Sequence, residues 1–395
     1  MAAPTSSPAD RARRPKNRKA QIALAAAELF CRRGYHSVGV DEIADAVGIT
    51  GPAIYRHFRT KQAILAHAVG ELSDGLAAAA VPAEDARTPA GRLDSALRNL
   101  AAFAVDRRTV TRLYQWEDRH LPDDERRAAT ARTRVAVRSV RALLLDVRPE
   151  LDTTSATLLT LATFSVLGSL STHRIGLPKG RTEAVVRELA ATVLALPGPP
   201  APEPRAERPR EEMLRLVSRR ERLLAEAVHL FHQRGFQAVS MEEIGTRAGI
   251  NASSLYRHFA GKGDLLAAIY HRATERLSDA ATTALTGARD PGEALERLIP
   301  TYVRIAFDQA GLVSVYLSEN DNLPPGDRET LRAAQRRHVD EWVRLVGSSR
   351  GDEPAAETRL RVYAALNVVT DLARAQPPLT GPAFGGELVT ALLTS

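Results

Sequence analysis

Two stretches of this chain carry the same four residues. Tyr55-Arg56-His57-Phe58 and Tyr256-Arg257-His258-Phe259 stand 201 positions apart in a chain of 395. A lysine follows each, Lys61 and Lys262. A phenol, a guanidinium, an imidazole and an ammonium within seven residues offer donors and positive charge to phosphate oxygens. The chemistry this suggests is the gripping of a polyanion, not the breaking of a bond. Elsewhere there is no nucleophile elbow, no phosphate loop and no paired acid and base. His229 and His232 stand three apart on a helix, a spacing more usual of surface residues than of a metal site, and the single cysteine, Cys31, allows neither a disulfide nor a cysteine-based zinc site. No enzyme activity, metal or cofactor is expected.

The elements around these residues are duplicated as well. Residues 18–66 align with 219–267 without a gap, and eighteen of the forty-nine pairs are identical. Similarity continues more weakly beyond, where Leu113 to Arg126 matches Val315 to Arg328 at an offset of 202. In each copy an apolar stripe marks a first helix: Ile22, Ala26, Leu29 and Phe30, then Leu223, Ala227, Leu230 and Phe231. Gly34 and Gly235 end it. Val40, Ile43, Ala44 and Val47 begin a second helix, matched by Met241, Ile244, Gly245 and Ala248, and Gly48 and Gly249 supply the turn that follows. Thr50 and Asn251 are expected to cap a very short third helix, with Pro52 in its first turn in copy one. Lys61 and Lys262 open a longer fourth helix. Phe58 and Phe259 are expected to plug the core beneath the third.

A helix, a glycine turn and a short helix make a helix-turn-helix, whose second helix can enter the major groove of DNA. The residues expected to meet DNA are Thr50, Gly51, Pro52, Tyr55, Arg56, His57 and Lys61 in copy one. In copy two they are Asn251, Ser253, Ser254, Tyr256, Arg257, His258 and Lys262. Gly51, Pro52 and Ala53 offer few hydrogen bonds, so Thr50 and Arg56 carry the polar readout of copy one, and the two half-sites are expected to differ. Charge is distributed accordingly. Residues 1–67 carry about +6 and residues 215–271 about +3, against +7 for the whole chain.

These motifs, "LF…RGY…V…DEIADAVGIT…IYRHF…K" and its second copy, resemble the TetR family of bacterial transcriptional regulators. The duplication is similar to the tandem TetR-type repressors of actinobacteria, among them those of mammalian-cell-entry lipid-uptake operons. The resemblance implies an all-α fold of two tandem units, each a three-helix head with a helical regulatory domain. It implies a cytoplasmic, nucleoid-associated bacterial protein with no membrane partner, bound to double-stranded operator DNA. It also implies a repressor released by a small lipid- or steroid-like effector. Copy one departs from the family in carrying Val38-Gly39 where Ser or Thr is usual at the start of helix two, which puts that cap in doubt.

The expected organisation is a disordered basic arm at 1–17, a head at 18–70, a regulatory domain at 75–196, a proline-rich linker at 197–210, a second head at 215–271 and a second regulatory domain at 275–395. The N-terminus has no apolar core of a secretory signal, and no apolar run approaches the ~20 residues that span a bilayer. The chain is expected to act as a monomer with an internal pseudo-two-fold axis, or as a homodimer. "TTSATLLTLATFSVLGSLSTHRI" (Thr153 to Ile175) and its counterpart Leu360 to Ala373 read as interface helices or as the wall of a pocket. Candidate pocket residues are Phe103, Tyr114, Trp116 and Phe164 in the first half, and Tyr302, Phe307, Tyr316 and Tyr363 in the second. Plain core packing is the alternative for each. A ligand-binding scaffold with one silent head is the competing function, motivated by the bare Gly51-Pro52-Ala53.

Overall fold

The computed structural model describes residues 18–109, 113, 121–199, 218–351, 353–375 and 380–395. Among them there are seventeen α-helices and no strand. The arm at 1–17, and the linker beyond Pro199, lie outside the described residues.

In the first repeat α1 (Arg18–Arg33), α2 (Val40–Ala46), α3 (Gly51–Ile54) and α4 (Lys61–Ala79) form the head; α5 (Pro89–Asp106), α6 (Asp123–Val147), α7 (Thr153–Gly168) and α8 (Lys179–Ala195) follow. The second repeat has α9 (Arg219–Arg234), α10 (Met241–Arg247), α11 (Ala252–His258) and α12 (Lys262–Thr286), then α13 (Pro291–Asp308), α14 (Ala310–Ser318), α15 (Pro325–Arg350), α16 (Ala355–Arg374) and α17 (Pro382–Thr394). The offset between helix starts is 201 through the heads and 202 for α5 and α13, α6 and α15, and α7 and α16.

Three cores result. Ile22, Phe30, Ile43, Ile54 and Phe58 close the first head; Leu223, Phe231, Ile244, Leu255 and Phe259 close the second. The third core runs without a break through both regulatory halves, from Leu97 and Leu159 to Val369 and Leu388. The equivalent helices α7 and α16 pack face to face, and α8 packs against α17. α4 crosses the expected break at 70–75 without interruption, because Ile64 and Leu65 belong to the head while Leu76 and Ala79 pack on the shared core.

α7 explains why its sequence mixes Thr and Ser into an apolar run. Thr160 and Thr163 are fully buried, and each hydroxyl donates to the carbonyl one turn back, Ala156 and Leu159. That satisfies the polar group inside the helix. Contrary to the expectation of no membrane-length run, Thr153–Ser171 is long and apolar enough by composition. It is 72% buried, its apolar faces taken up by the shared core.

Candidate functional site

Each head is shaped by two glycines with positive φ. Gly34 (79°) and Gly235 (78°) turn the chain out of the first helix; Gly48 (67°) and Gly249 (67°) make the turn before the third. A side chain at these positions would be strained. Below the turn, Ile54 and Phe58 are buried, as are Leu255 and Phe259, so the short third helix is pinned from inside. Its outer face carries Tyr55 and Tyr256, 56% and 47% exposed, with Arg56 and Arg257 exposed beside them. His258 is exposed and His57 half-buried.

Several expected contacts take other roles. The Lys61 ammonium donates to the carbonyls of Tyr35 and Val38, both at 2.9 Å, and lies 4.4 Å from the centre of the Tyr35 ring. Lys262 does the same to Phe236 (2.7 Å) and Val239 (2.8 Å) over the Phe236 ring. Burial pushes both amines below the ordinary lysine value. Both lysines therefore staple the loop between the first and second helices instead of reaching outward. Gly51 is buried, and a Cβ there would clash with the Asp41 carboxylate, so this glycine serves close packing of α2 on α3. Ser254 is buried too, its backbone N–H bonded to Asn251 Oδ1 and its hydroxyl accepting from Arg257. Thr50 occupies the cap position of α3 without a side-chain bond, whereas Asn251 caps α11 as expected. The Ser253 side chain lies outside the described residues.

Copy one has no capping hydroxyl, and Glu42 instead reaches back to the start of α2. Its carboxylate accepts the Gly39 N–H at 2.8 Å and is held by Arg33 at 2.6 Å. Copy two uses Ser240, which accepts from the Glu243 N–H at 3.1 Å. The Tyr256 hydroxyl donates to Glu242 at 3.0 Å.

Two cavities lie above the heads. The first, of about 360 Å³, is bounded by α4, α5, α6 and α7 and closed by Asp371, Leu372 and Ala375 from the second repeat. Phe103 and Phe164 line it. The second, of about 250 Å³, lies among α12 to α16, with Thr172 contributed by the first repeat. Tyr302, Tyr316 and Tyr363 line it, together with Gln309, His338 and Asn367. Burial pushes Tyr302 and Tyr316 up to about 12 and His338 down to about 4. His338 is thereby kept neutral, its Nε2 accepting from Trp342 Nε1 at 3.2 Å. Phe307 does not face the cavity; it fills the shared core, against Gly385. Tyr114 and Trp116 lie outside the described residues.

The second cavity touches its head through α14. Leu312 and Tyr316 line the cavity and pack on the core of the head, and Val315 between them is fully buried in that core. The Tyr270 hydroxyl fixes this helix by donating to the Val315 carbonyl at 2.5 Å. Leu113, which aligns with Val315, is buried in the core of the first head.

The profile described as "Bacterial regulatory proteins, tetR family" matches residues 22–68 and 223–269, the helix-turn-helix of each repeat. The chain is a tandem protein of the TetR family. It is 50% identical over 44 residues to the HTH-type transcriptional activator FasR of Mycolicibacterium smegmatis, covering 11% of this chain and 20% of that one. It is 30% identical over 112 residues to the HTH-type transcriptional repressor KstR2 of Rhodococcus jostii, covering 28% and 55%. The tandem protein thus aligns with between a fifth and about half of the length of the curated relatives it matches. Among solved structures, a TetR family transcriptional regulator PfmR from Thermus thermophilus is 25% identical, with a TM-score of 0.40 over 45% of this chain and 96% of that one.

The tandem TetR-family protein also has functional candidates that its sequence did not single out. Arg361, 3% exposed, bonds Glu353 of its own repeat at 2.8 Å and Glu188 of the other at 2.6 Å. Arg181 of the first repeat makes a two-pronged bond, 2.6 and 2.5 Å, to the buried Glu357 of the second. Neither pair has a mirror image. The position equivalent to Arg361 is Leu159, and that equivalent to Glu357 is Ser155. The only signal for this in the sequence was charge inside an otherwise apolar helix.

Proposed function

We propose that this protein is a sequence-specific DNA-binding transcriptional regulator whose two unlike heads act from one chain, a repressor released by a small apolar effector. The observation that carries the reading is the regulatory core shared by the two repeats, sealed by ion pairs that occur once. Two copies of the second half facing each other would set Arg361 on each side with no Glu188 opposite. Such charges favour one half meeting the other over self-pairing, a matter of specificity more than of net strength. The pairing offers both heads to neighbouring turns of DNA from a single polypeptide, with recognition helices ~34 Å apart.

Tyr55, Arg56 and His57, and Tyr256, Arg257 and His258, are the residues proposed to grip the duplex. Arg56 and Thr50 face the groove in the first head; Arg257 and Asn251 do so in the second. Release follows from α14: a ligand that displaces Leu312 or Tyr316 in the second cavity also shifts Val315, a core residue of the head. An effector acts only through different affinity for the two head arrangements. A lipid-uptake operon of the mammalian-cell-entry type is the proposed target.

Footprinting the full chain on the DNA upstream of its own gene, together with the mass of the complex, tests the proposal. One chain covering two unlike half-sites is expected. Two chains per site would overturn the single-chain reading, and protection of one half-site alone would favour a scaffold with a silent head.

A further inference from the structure

The first cavity is closed by a carboxylate from the other repeat. Asp371 belongs to α16, yet it lines a space otherwise walled by Leu72, Leu76, Leu100, Phe103 and Phe164. Its Oδ2 accepts from Ser165 Oγ at 2.5 Å and from Asn367 Nδ2 at 3.1 Å. Arg374 Nη1 stands 3.8 Å from Oδ1 and is not among the cavity residues. Burial raises the carboxyl above its ordinary value, opposed by Ser165, Arg374 and Asn367.

The other polar groups among the described lining residues are already committed. Ser73 Oγ donates to Val69 O, Thr133 Oγ1 to Ala129 O, and Ser165 Oγ to Asp371 itself. The wall therefore holds one strong acceptor and no spare side-chain donor. The position equivalent to Asp371 in the first repeat is Ser169, so the second cavity has no matching acid at that place.

We propose that the first cavity is a second ligand site, distinct in chemistry from the cavity of the second repeat, for an apolar molecule ending in a hydroxyl or ammonium group that donates to Asp371. This deepens the effector reading above and rests on it. A fatty-acid carboxylate is excluded, because it would bring a second negative charge to an acceptor-only wall. Asp371 acts here as a specificity residue lent by one repeat to the other, so occupancy of the site reports on the joint between them.

Calorimetric titration of the full chain with 1-decanol, decylamine and decanoate tests this. The three share a chain and differ in head group, and comparing the first two separates a hydroxyl from an ammonium ligand. Decanol or decylamine is expected to bind at least about tenfold more tightly than decanoate. Asp371→Asn, which supplies an amide donor, is expected to erase that preference. Ala104→Trp, which fills the cavity without touching the acid, is expected to abolish the head-group preference, leaving only unselective uptake by the second cavity, while the melt stays cooperative. Equal or tighter binding of decanoate, no binding of decanol and decylamine, a preference that survives Asp371→Asn, or a preference that survives Ala104→Trp would each overturn the inference. Should Asp371→Asn fail to fold, the wild-type series and Ala104→Trp still decide. None of these titrations contains DNA, so a chain that binds its operator but none of the probes loses this inference alone.

Discussion

Replacing Arg361 by alanine tests the joint between the repeats most directly. The guanidinium is almost wholly buried and makes three contacts: Glu353 at 2.8 Å, Glu188 at 2.6 Å and Ser395 Oγ at 3.1 Å. Removing one partner of a buried pair costs roughly 3–5 kcal/mol, most of it from the charge left behind. Here two features reduce that. Glu188 is 49% exposed and can return to water, and Glu353 keeps Arg350 at 3.1 Å. The lower end, about 3 kcal/mol, is therefore expected. For a cooperative unit of roughly two hundred residues this is a fall in Tm of about 6–12 °C. Arg361→Leu should recover only the packing share of the loss: Leu159 fills the equivalent site of the first repeat with no exposure, but a leucine deprives Glu353 and Glu188 of their partner just as alanine does. Scanning calorimetry of the three proteins decides it. An alanine variant that melts within about 2 °C of wild type, or a leucine variant as stable as wild type, refutes the argument that Arg361 is a buried partner in a cross-repeat pair.

Other outcomes follow from the same geometry. Arg56→Ala should weaken operator binding by about 1–3 kcal/mol and relax specificity in one half-site, with little change in the slope of log affinity against log salt. Lys61→Met should leave that slope unchanged and instead loosen the first head by about 2 kcal/mol, read by hydrogen exchange in residues 35–38, since it loses charged hydrogen bonds to two carbonyls. His338 and His173 are held neutral in the fold, at about 4 and about 3 against 6.5 when free. The unfolded chain therefore binds more protons below pH 6.5, and stability should fall by about 1.4 kcal/mol per pH unit per histidine until the folded value is reached. His338→Phe should flatten that decline between pH 6.5 and about 4, measured by chemical denaturation across pH. Glu357 is lowered from 4.5, first by its bond to Arg181, so that pair stabilises fully above pH 4.5 and is lost as pH falls below it. Arg181→Met should weaken this acid-side loss in the same titration.

Much of the architecture was open to reading because it rests on local spacing. The glycines at 34, 48, 235 and 249 and the apolar stripes of the heads are each dictated within a turn or two of helix. The repeat carried those readings from one half to the other. What escaped depends on atoms far apart in the chain. Lys61 looks like a surface cation until the loop 23 to 26 residues before it folds over its ammonium. Gly51 looks like an exposed turn residue until Asp41 comes to rest against it. Phe307 was indistinguishable from Tyr302 as a pocket residue, because one helix carries both and only the packing of α17 decides which faces the core. The charged seal joins residues 173 and 176 positions apart, beyond any periodicity argument.

The uninterrupted core between the repeats has a consequence for how such a protein counts itself. A homodimeric regulator thins into single subunits when its concentration drops, and its operator occupancy then falls with the square of copy number. On the proposed single-chain reading, two halves fused and mutually buried skip that equilibrium, so occupancy would decline only in proportion. A cell could keep a handful of molecules and still hold the site, and no stray subunit would be left to trade partners with related regulators.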